Sequence, residues 1–359
     1  MNPQLPKALQ PHFHAGVTSY DPGDTSLCLQ MRESLEIIIS ALEELMKVVR
    51  GLAILYKATP QIGRTHGIHA EPITFGVKMA NYYAELKRGR DRLLQARKTV
   101  SVGKLSGAVG MYTLNPEVER LALKELGLRP IIATQIISRD IVAEYMSALA
   151  LLSSTLEKIS TGFRTLSRTE IREVSEYFSA TQKGSSAMPH KKNPITFEKI
   201  TGLTRIVRAN LLVALEDNGA CWDERSIDNS APERVIISDS SQVVHYLLQT
   251  LTETLLKMNV NPKRMRRNLD LTKGLVFSQE VMMLVAKKSG LPREEAHTLV
   301  RDIAVRCFDE DLGFLEELLR SEEIMRHISV DELNGCFSLS HKLRHVDHIF
   351  RMVFGESAA

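Results

Sequence analysis

Three stretches of the chain repeat apolar residues in alternating steps of three and four. The first runs Leu35, Ile38, Leu42, Leu45, Val49, Leu52, Tyr56 and is stopped by Pro60. The second runs Tyr145, Leu149, Leu152, Leu156, Ile159, Phe163, Leu166, and the third Val244, Leu248, Leu251, Leu255, Met258, before Pro262. This alternation keeps one apolar stripe on one face of an α-helix. Long helices that share it pack lengthwise at shallow angles. The chain is therefore expected to be all-α, built on a bundle of long helices. Ile37, Ile39 and Met46 widen the first stripe beyond what one neighbour covers. A thick monomeric bundle would bury such a face; helices from several copies packing together is the reading preferred here.

Two further helices follow from the same spacing. One is expected to start at Pro72 and run through Phe75, Met79, Tyr83, Leu86 and Leu93, with the proline in its first turn. The other covers about 195–216. No strand-rich region is expected. The Gly-rich segment 102–114 matches neither phosphate-binding glycine pattern and reads as a connection that needs small residues for close packing. Beyond Pro262 the helical segments shorten and gain charge, with a turn such as SGLPREEA at 289–296 and Thr298 and Leu299 inside the helix that follows. The expected division is 1–22 as a leading segment, 23–261 as the long-helix domain and 262–359 as a small helical C-terminal domain.

A chain of 359 residues with 43% hydrophobic content can bury a sizeable core. A net charge of +3 argues against general nucleic-acid binding and leaves room for a small anionic ligand. No apolar run reaches membrane-spanning length, and the first residues lack the apolar stretch of a secretion signal. The cysteines Cys28, Cys221, Cys307 and Cys336 are scattered, as in a cytoplasmic chain with reduced thiols.

Polar clusters interrupt the helical pattern in four places. Residues 13–27 hold His14, Thr18, Ser19 and Asp21 ahead of the first long helix, where capping alone could account for Asp24 or Thr25. Residues 63–76 hold Arg64, Thr65, His66 and His69 ahead of the expected helix start. A metal reading of His66 and His69 lacks a carboxylate or cysteine partner at matching spacing; packing or capping is the simpler role for one of them. Residues 181–194, TQKGSSAMPHKKNP, set Ser185 and Ser186 beside Gly184 and concentrate charge at Lys191 and Lys192. That composition suits a loop, either a bland surface loop or one that binds an anion and carries a reactive group. Residues 221–234 place Arg225, Ser230 and Arg234 in a polar run with the only tryptophan. Arginine, lysine and hydroxyl groups suit a substrate with carboxylates and phosphate. A histidine can act as acid or base near neutral pH. Cofactor-free acid–base chemistry on a polyanion is the reaction type these residues allow. A serine hydrolase would need a GxSxG elbow that GSSAM does not supply.

The segments GSSAMPHKKNP (184–194), GRTHGIHAEPITFG (63–76) and HAGVTSYDPGDT (14–25) together resemble the fumarase/aspartase superfamily of lyases and, within it, the adenylosuccinate lyase family. The resemblance runs from about His14 to the C-terminus. It implies β-elimination of fumarate from adenylosuccinate and from the succinylated aminoimidazole carboxamide ribotide, in purine synthesis, with no metal and no organic cofactor. It implies Ser185 as the base at the Cβ proton, His66 as the acid at the leaving nitrogen and Glu198 as the group that orients the histidine. Lys191 and Asn193 would hold one succinyl carboxylate, and Thr18 and Ser19 another. Gln135 would lie where the bond breaks, and Arg225, Ser230 and Arg234 at the succinyl and phosphate ends. His14 and Asp21 would lie near the nucleotide, with Thr65, Ser186 and Met188 as further substrate contacts. The family's long helices join four subunits into a homotetramer in which three chains complete each site. Family members usually carry more of an N-terminal helical domain ahead of the position of His14. The residues before 23 are expected to be what remains of it, and activity is expected to be weaker without it.

Overall fold

The structure, a computed structural model, describes residues 6–178, 188 and 190–356. Its elements, in chain order, are α1 (Tyr20–Leu55), the strands β1 (Pro60–Thr65) and β2 (Ile68–Thr74), α2 (Phe75–Val100), β3 (Val102–Gly103), α3 (Pro116–Glu125), β4 (Arg129–Pro130) and α4 (Asp140–Leu166). There follow β5 (Val174–Ser175), α5 (Ile195–Gly219), α6 (Ser230–Lys257), β6 (Asn259–Val260), α7 (Pro262–Leu269), α8 (Ser278–Ser289), α9 (Arg293–Asp309) and α10 (Phe314–Arg320), then short helices to Phe354. The fold is helical, as the periodicity requires. Its contacts divide it into two compact units: 1–47, 85–164 and 181–256 form the first, and 48–84, 165–180 and 257–359 the second.

In the first unit the stripes are the core. Leu35, Leu42 and Leu45 of α1, Leu149, Leu156 and Phe163 of α4, and Val244, Leu248 and Leu251 of α6 are buried completely. Phe163 stacks on Phe197 of α5 with ring centroids 5.3 Å apart. The buried Tyr145 hydroxyl of α4 meets the Ser241 hydroxyl of α6 at 2.6 Å. The 102–114 segment connects α2 to α3; its first residues, Val102 to Lys104, are buried and the part after Gly107 is largely exposed. A Cβ on Gly103 would fall 2.5 Å from the Leu123 side chain, which would have to shift to admit one.

Charge is also buried in this unit. Arg139 spans α1 and α6 through a bidentate pair to Asp24 at 2.8 and 2.9 Å and a bond to Glu233 at 2.7 Å. Asp24 also accepts the Ile137 amide at 2.6 Å. This corrects the capping role considered for Asp24 and Thr25: both lie within α1, and Thr25 pairs its hydroxyl with the Lys104 backbone.

The second unit corrects the expected helix start at Pro72. Pro72 lies in β2, opposite Ile62 of an antiparallel hairpin. The helix begins at Phe75, where the Thr74 hydroxyl accepts the Val77 amide at 3.0 Å as an N-cap. Burial of Gln61, Ile62, Pro72 and Thr74 fixes the hairpin against the unit's interior, with Ile62 packed on Leu269 and Val276. A separate cluster around Val281, Val300, Phe314 and Leu318 holds α8, α9 and α10 together. Lys342 joins Glu71 of the hairpin to Glu280 of α8 at 2.8 and 2.9 Å.

Candidate active site

Thr18 and Ser19 end the loop that leads into α1. The Thr18 amide donates to Asp21 Oδ2 at 2.7 Å, which fixes the turn into the helix. Asp21 itself is fully buried. Its Oδ1 accepts from the equally buried Lys104 Nζ and from the Gly107 amide at 3.3 Å. Its oxygens are thus committed inside the protein, where they hold the Thr18 loop. His14 is exposed with a left-handed backbone (φ 61°), its ring against Phe13.

Three of the sequence-derived residues meet although they are far apart in the chain. Gln135 Nε2 donates to Thr18 Oγ1 at 3.4 Å, and Arg225 Nη1 donates to Gln135 Oε1 at 3.3 Å. The Arg225 guanidinium lies 3.9 Å from the centroid of the Tyr20 ring. Its Nε–H is buried and has no acceptor, which leaves a donor for an anion. Thr134 donates to the Glu224 carbonyl at 2.7 Å and ties the two loops together. Tyr20 went unnoticed in the sequence, where it sits between Ser19 and Asp21 with nothing to mark its arginine partner. Ser230 and Arg234, in the first turns of α6, line a cleft of about 570 Å³ with Tyr20, Gln30, Ser34 and Gln242.

Asp217, near the end of α5, keeps one oxygen unpaired. Burial, reinforced by the charge of Glu233 and opposed by Arg139, pushes its carboxyl up to about 6. Glu233 is raised as well, chiefly by burial against the opposing pull of Arg139.

The residues before α5 are exposed or half-buried. Met188 and Lys191 close a turn, the Lys191 amide donating to the Met188 carbonyl at 3.0 Å, and Asn193 follows it. Glu198 stands in the first turn of α5, where the helix dipole favours its charge, 4.0 Å from Arg164. Ser185 and Ser186 lie outside the described residues.

In the second unit, His66 occupies the tip of the hairpin. Thr65 pairs with Ile68, so His66 and Gly67 form a two-residue turn, both with positive φ (55° and 83°). That is the geometry of a type I′ turn, which demands φ > 0 twice and explains the glycine. Thr65 and His66 are exposed. His69 behaves differently: its Nδ1 is buried without a partner, and burial and the Arg64 charge hold its pKa below the ordinary value. Lys78 is likewise lowered by burial, with Glu173 opposing. Among the described residues no group of three His, Cys, Asp or Glu side chains is arranged to hold a metal ion. No described helix is long and apolar enough to cross a membrane.

Comparison with known proteins identifies the family. A family model described as "Lyase" matches residues 3–208, and one described as "Adenylosuccinate lyase C-terminus" matches 274–353. Adenylosuccinate lyase of Thermotoga maritima is 47% identical over 340 residues, which span 94% of this chain and 78% of the relative. That of Aquifex aeolicus is 44% identical, over 96% of this chain and 79% of the relative. Among solved structures, a fumarate lyase from Mesorhizobium sp. BNC1 superposes with a TM-score of 0.86 at 30% identity, covering 96% of this chain and 78% of that one. The 3-carboxy-cis,cis-muconate lactonizing enzyme of Pseudomonas putida gives 0.84, also at 30% identity, over 96% and 77%. With a lyase model over its first half, the matching C-terminal model near its end and such identity along nearly its whole length, the chain belongs to the adenylosuccinate lyase family.

Proposed function

We propose that the protein releases fumarate from adenylosuccinate, leaving AMP, and from the succinylated aminoimidazole carboxamide ribotide, leaving the carboxamide. The observation that carries this reading is the 47% identity with an adenylosuccinate lyase over 94% of the chain. In the proposed reaction Ser185 takes the Cβ proton. The electron pair left at Cβ forms the fumarate double bond, the C–N bond breaks, and His66 protonates the departing nitrogen. An unassisted serine hydroxyl is too weak an acid to yield this base, so nearby cations, Lys191 among them, must stabilise its alkoxide and the dianion that develops at the substrate carboxylate. Glu198 orients His66. Thr18, Ser19, Lys191 and Asn193 bind carboxylate oxygens, with Thr65, Ser186 and Met188 nearby. Gln135 lies at the breaking bond, and Arg225, Ser230 and Arg234 bind the charged ends, with His14 near the nucleotide. The linked Thr18, Gln135 and Arg225 support this reading, because they place neutral and cationic donors along one surface.

The assembly we propose is a cytoplasmic homotetramer in which three chains complete each site. It is supported by apolar side chains left exposed on the long helices, among them Ile37 at 58%, with Leu151, Leu212 and Tyr246. The exposed His66 at a hairpin tip suits a site finished by another copy. We keep 23–261 as the long-helix domain and 262–359 as the C-terminal domain.

A second reading, elimination or cycloisomerisation of another dicarboxylate, is favoured by the 30% identity with the muconate lactonizing enzyme. Fumarate release from adenylosuccinate and from the ribotide, set beside lactone formation from a carboxymuconate, separates the two. Turnover of the first two, abolished by Ser185→Ala with substrate binding retained, is the expected result. Turnover of the carboxymuconate alone would overturn it.

A further inference from the structure

The hairpin that carries His66 is gripped by one carboxylate that the proposed reaction does not use. Glu173, in the turn after α4, is fully buried. Its Oε2 accepts from Gln61 Nε2 at 2.6 Å and from Arg64 Nη1 at 3.4 Å. Its Oε1 accepts from Arg64 Nη2 and from Asn268 Nδ2, both at 2.8 Å. The main chain of Glu173 is fixed as well: its amide donates to the Leu166 carbonyl and its carbonyl accepts the Asn261 amide, each at 2.9 Å.

Gln61 and Arg64 belong to β1, and Asn268 to α7. Arg64 stands opposite His69, one rung before the Thr65–Ile68 pair that closes the turn. The ladder shifts register between Ile62 and Arg64, so backbone bonding is interrupted just below the tip. At that interruption the direction of the tip depends on side chains. The Arg64 fork on Glu173 is bidentate, the geometry that fixes orientation as well as distance. Lys78 and His69 face the same carboxylate electrostatically but donate no hydrogen bond to it.

We infer that Glu173 is the positioning residue for His66: through Gln61 and Arg64 it sets the direction in which the hairpin presents the imidazole, and through Asn268 it ties that direction to α7. This rests on the proposed role of His66 as the acid. A carboxylate supplies two acceptors that receive four donors. An amide at the same place would turn an N–H toward either the hairpin or Asn268 and let the tip swing.

The test is kinetic and uses the full chain in its assembled state, in steady-state fumarate release. In Glu173→Gln, kcat is expected to fall about tenfold or more with KM changed less than about threefold, because misplacement on the order of an ångström acts on the transition state. Asn268→Ala removes the α7 ligand while leaving the charge pair intact, and is expected to lower kcat by about threefold with KM unchanged; it serves as the test should Glu173→Gln not fold. Each change is then repeated in His66→Gln. A residue acting through His66 adds less than about twofold there, whereas general loosening multiplies in full. Full multiplication, or unchanged kcat in both single variants, would overturn the inference. Unchanged kcat in His66→Gln alone would instead remove the acid role on which it rests.

Discussion

Arg225 sits over the ring of Tyr20, its guanidinium carbon 3.9 Å from the ring centroid, and the same guanidinium donates to Gln135. A long arginine in a surface loop loses much rotamer freedom when it binds an anion. The tyrosine face removes part of that cost in advance. Tyr20→Phe keeps the face and is expected to leave KM within about twofold. Tyr20→Ala loses a contact worth about 1 kcal/mol, so KM is expected to rise about fivefold with kcat nearly constant. Steady-state fumarate release by the two variants checks this; equal KM values would separate Tyr20 from substrate binding.

Asp21 and Lys104 form a second, wholly buried pair, and its effect is on stability. Asp21→Ala leaves an ammonium in the interior with only the Gly107 carbonyl at 3.4 Å to accept from it. Removing one partner of a buried pair costs about 3–5 kcal/mol. Urea unfolding of the variant is expected to show a loss of that size, and the double variant Asp21→Asn/Lys104→Met a smaller one. A loss below about 1 kcal/mol in Asp21→Ala would mean that water reaches the ammonium.

Asp217 gives the chain a pH dependence whose sign follows from its raised pKa. Its carboxyl titrates at about 6 in the folded protein against an ordinary 3.8. The folded state therefore holds the proton more tightly. Between those two values the folded chain binds more protons than the unfolded one, so this group makes stability fall as pH rises, with no further change above about 6. Asp217 is only half-buried, so screening reduces the effect to about 1 kcal/mol. Asp217→Asn is expected to melt above the parent at pH 7.5 and to match it near pH 4. A stabilisation that persists unchanged at pH 4 would trace to packing instead.

The stripes of α1, α4 and α6 were legible because a 3–4 repeat can be buried along its length in only one way, and Leu35, Leu156 and Leu251 are buried as that repeat demands. The hairpin was not. Pro72 followed by Phe75 and Met79 reads as a helix start, and it is the pairing of Pro72 with Ile62 in the hairpin that moves the start three residues on. The polar clusters singled out Thr18 and Arg225, and the family resemblance singled out Gln135. Their connection was hidden because Thr18 and Gln135 are 117 residues apart and Gln135 and Arg225 are 90 apart. Nothing in the sequence marked Arg139 and Lys104 as buried, for the same reason: their carboxylates come from distant segments. His66 was picked out by its motif, whereas the turn that presents it follows from backbone angles that composition does not reveal.

That turn supports the last prediction. Gly67 has φ +83° and nothing within 4 Å of where a Cβ would stand. Substitution there meets no steric obstacle outside its own backbone, so any cost is conformational. Alanine in the left-handed region costs about 1–2 kcal/mol, while asparagine tolerates that region through its short polar side chain. In Gly67→Ala the two-residue turn is expected to relax toward another geometry and carry His66 with it. The expected outcome is kcat reduced about tenfold with thermal stability lowered only slightly, since the tip is exposed. Gly67→Asn is expected to keep most of the activity. Measured together, the pair isolates backbone conformation from side-chain volume: asparagine is larger than alanine, so a result in which asparagine damages turnover more than alanine would show that space at the tip, filled by substrate or a second copy of the chain, governs the site rather than the angle at which His66 is held.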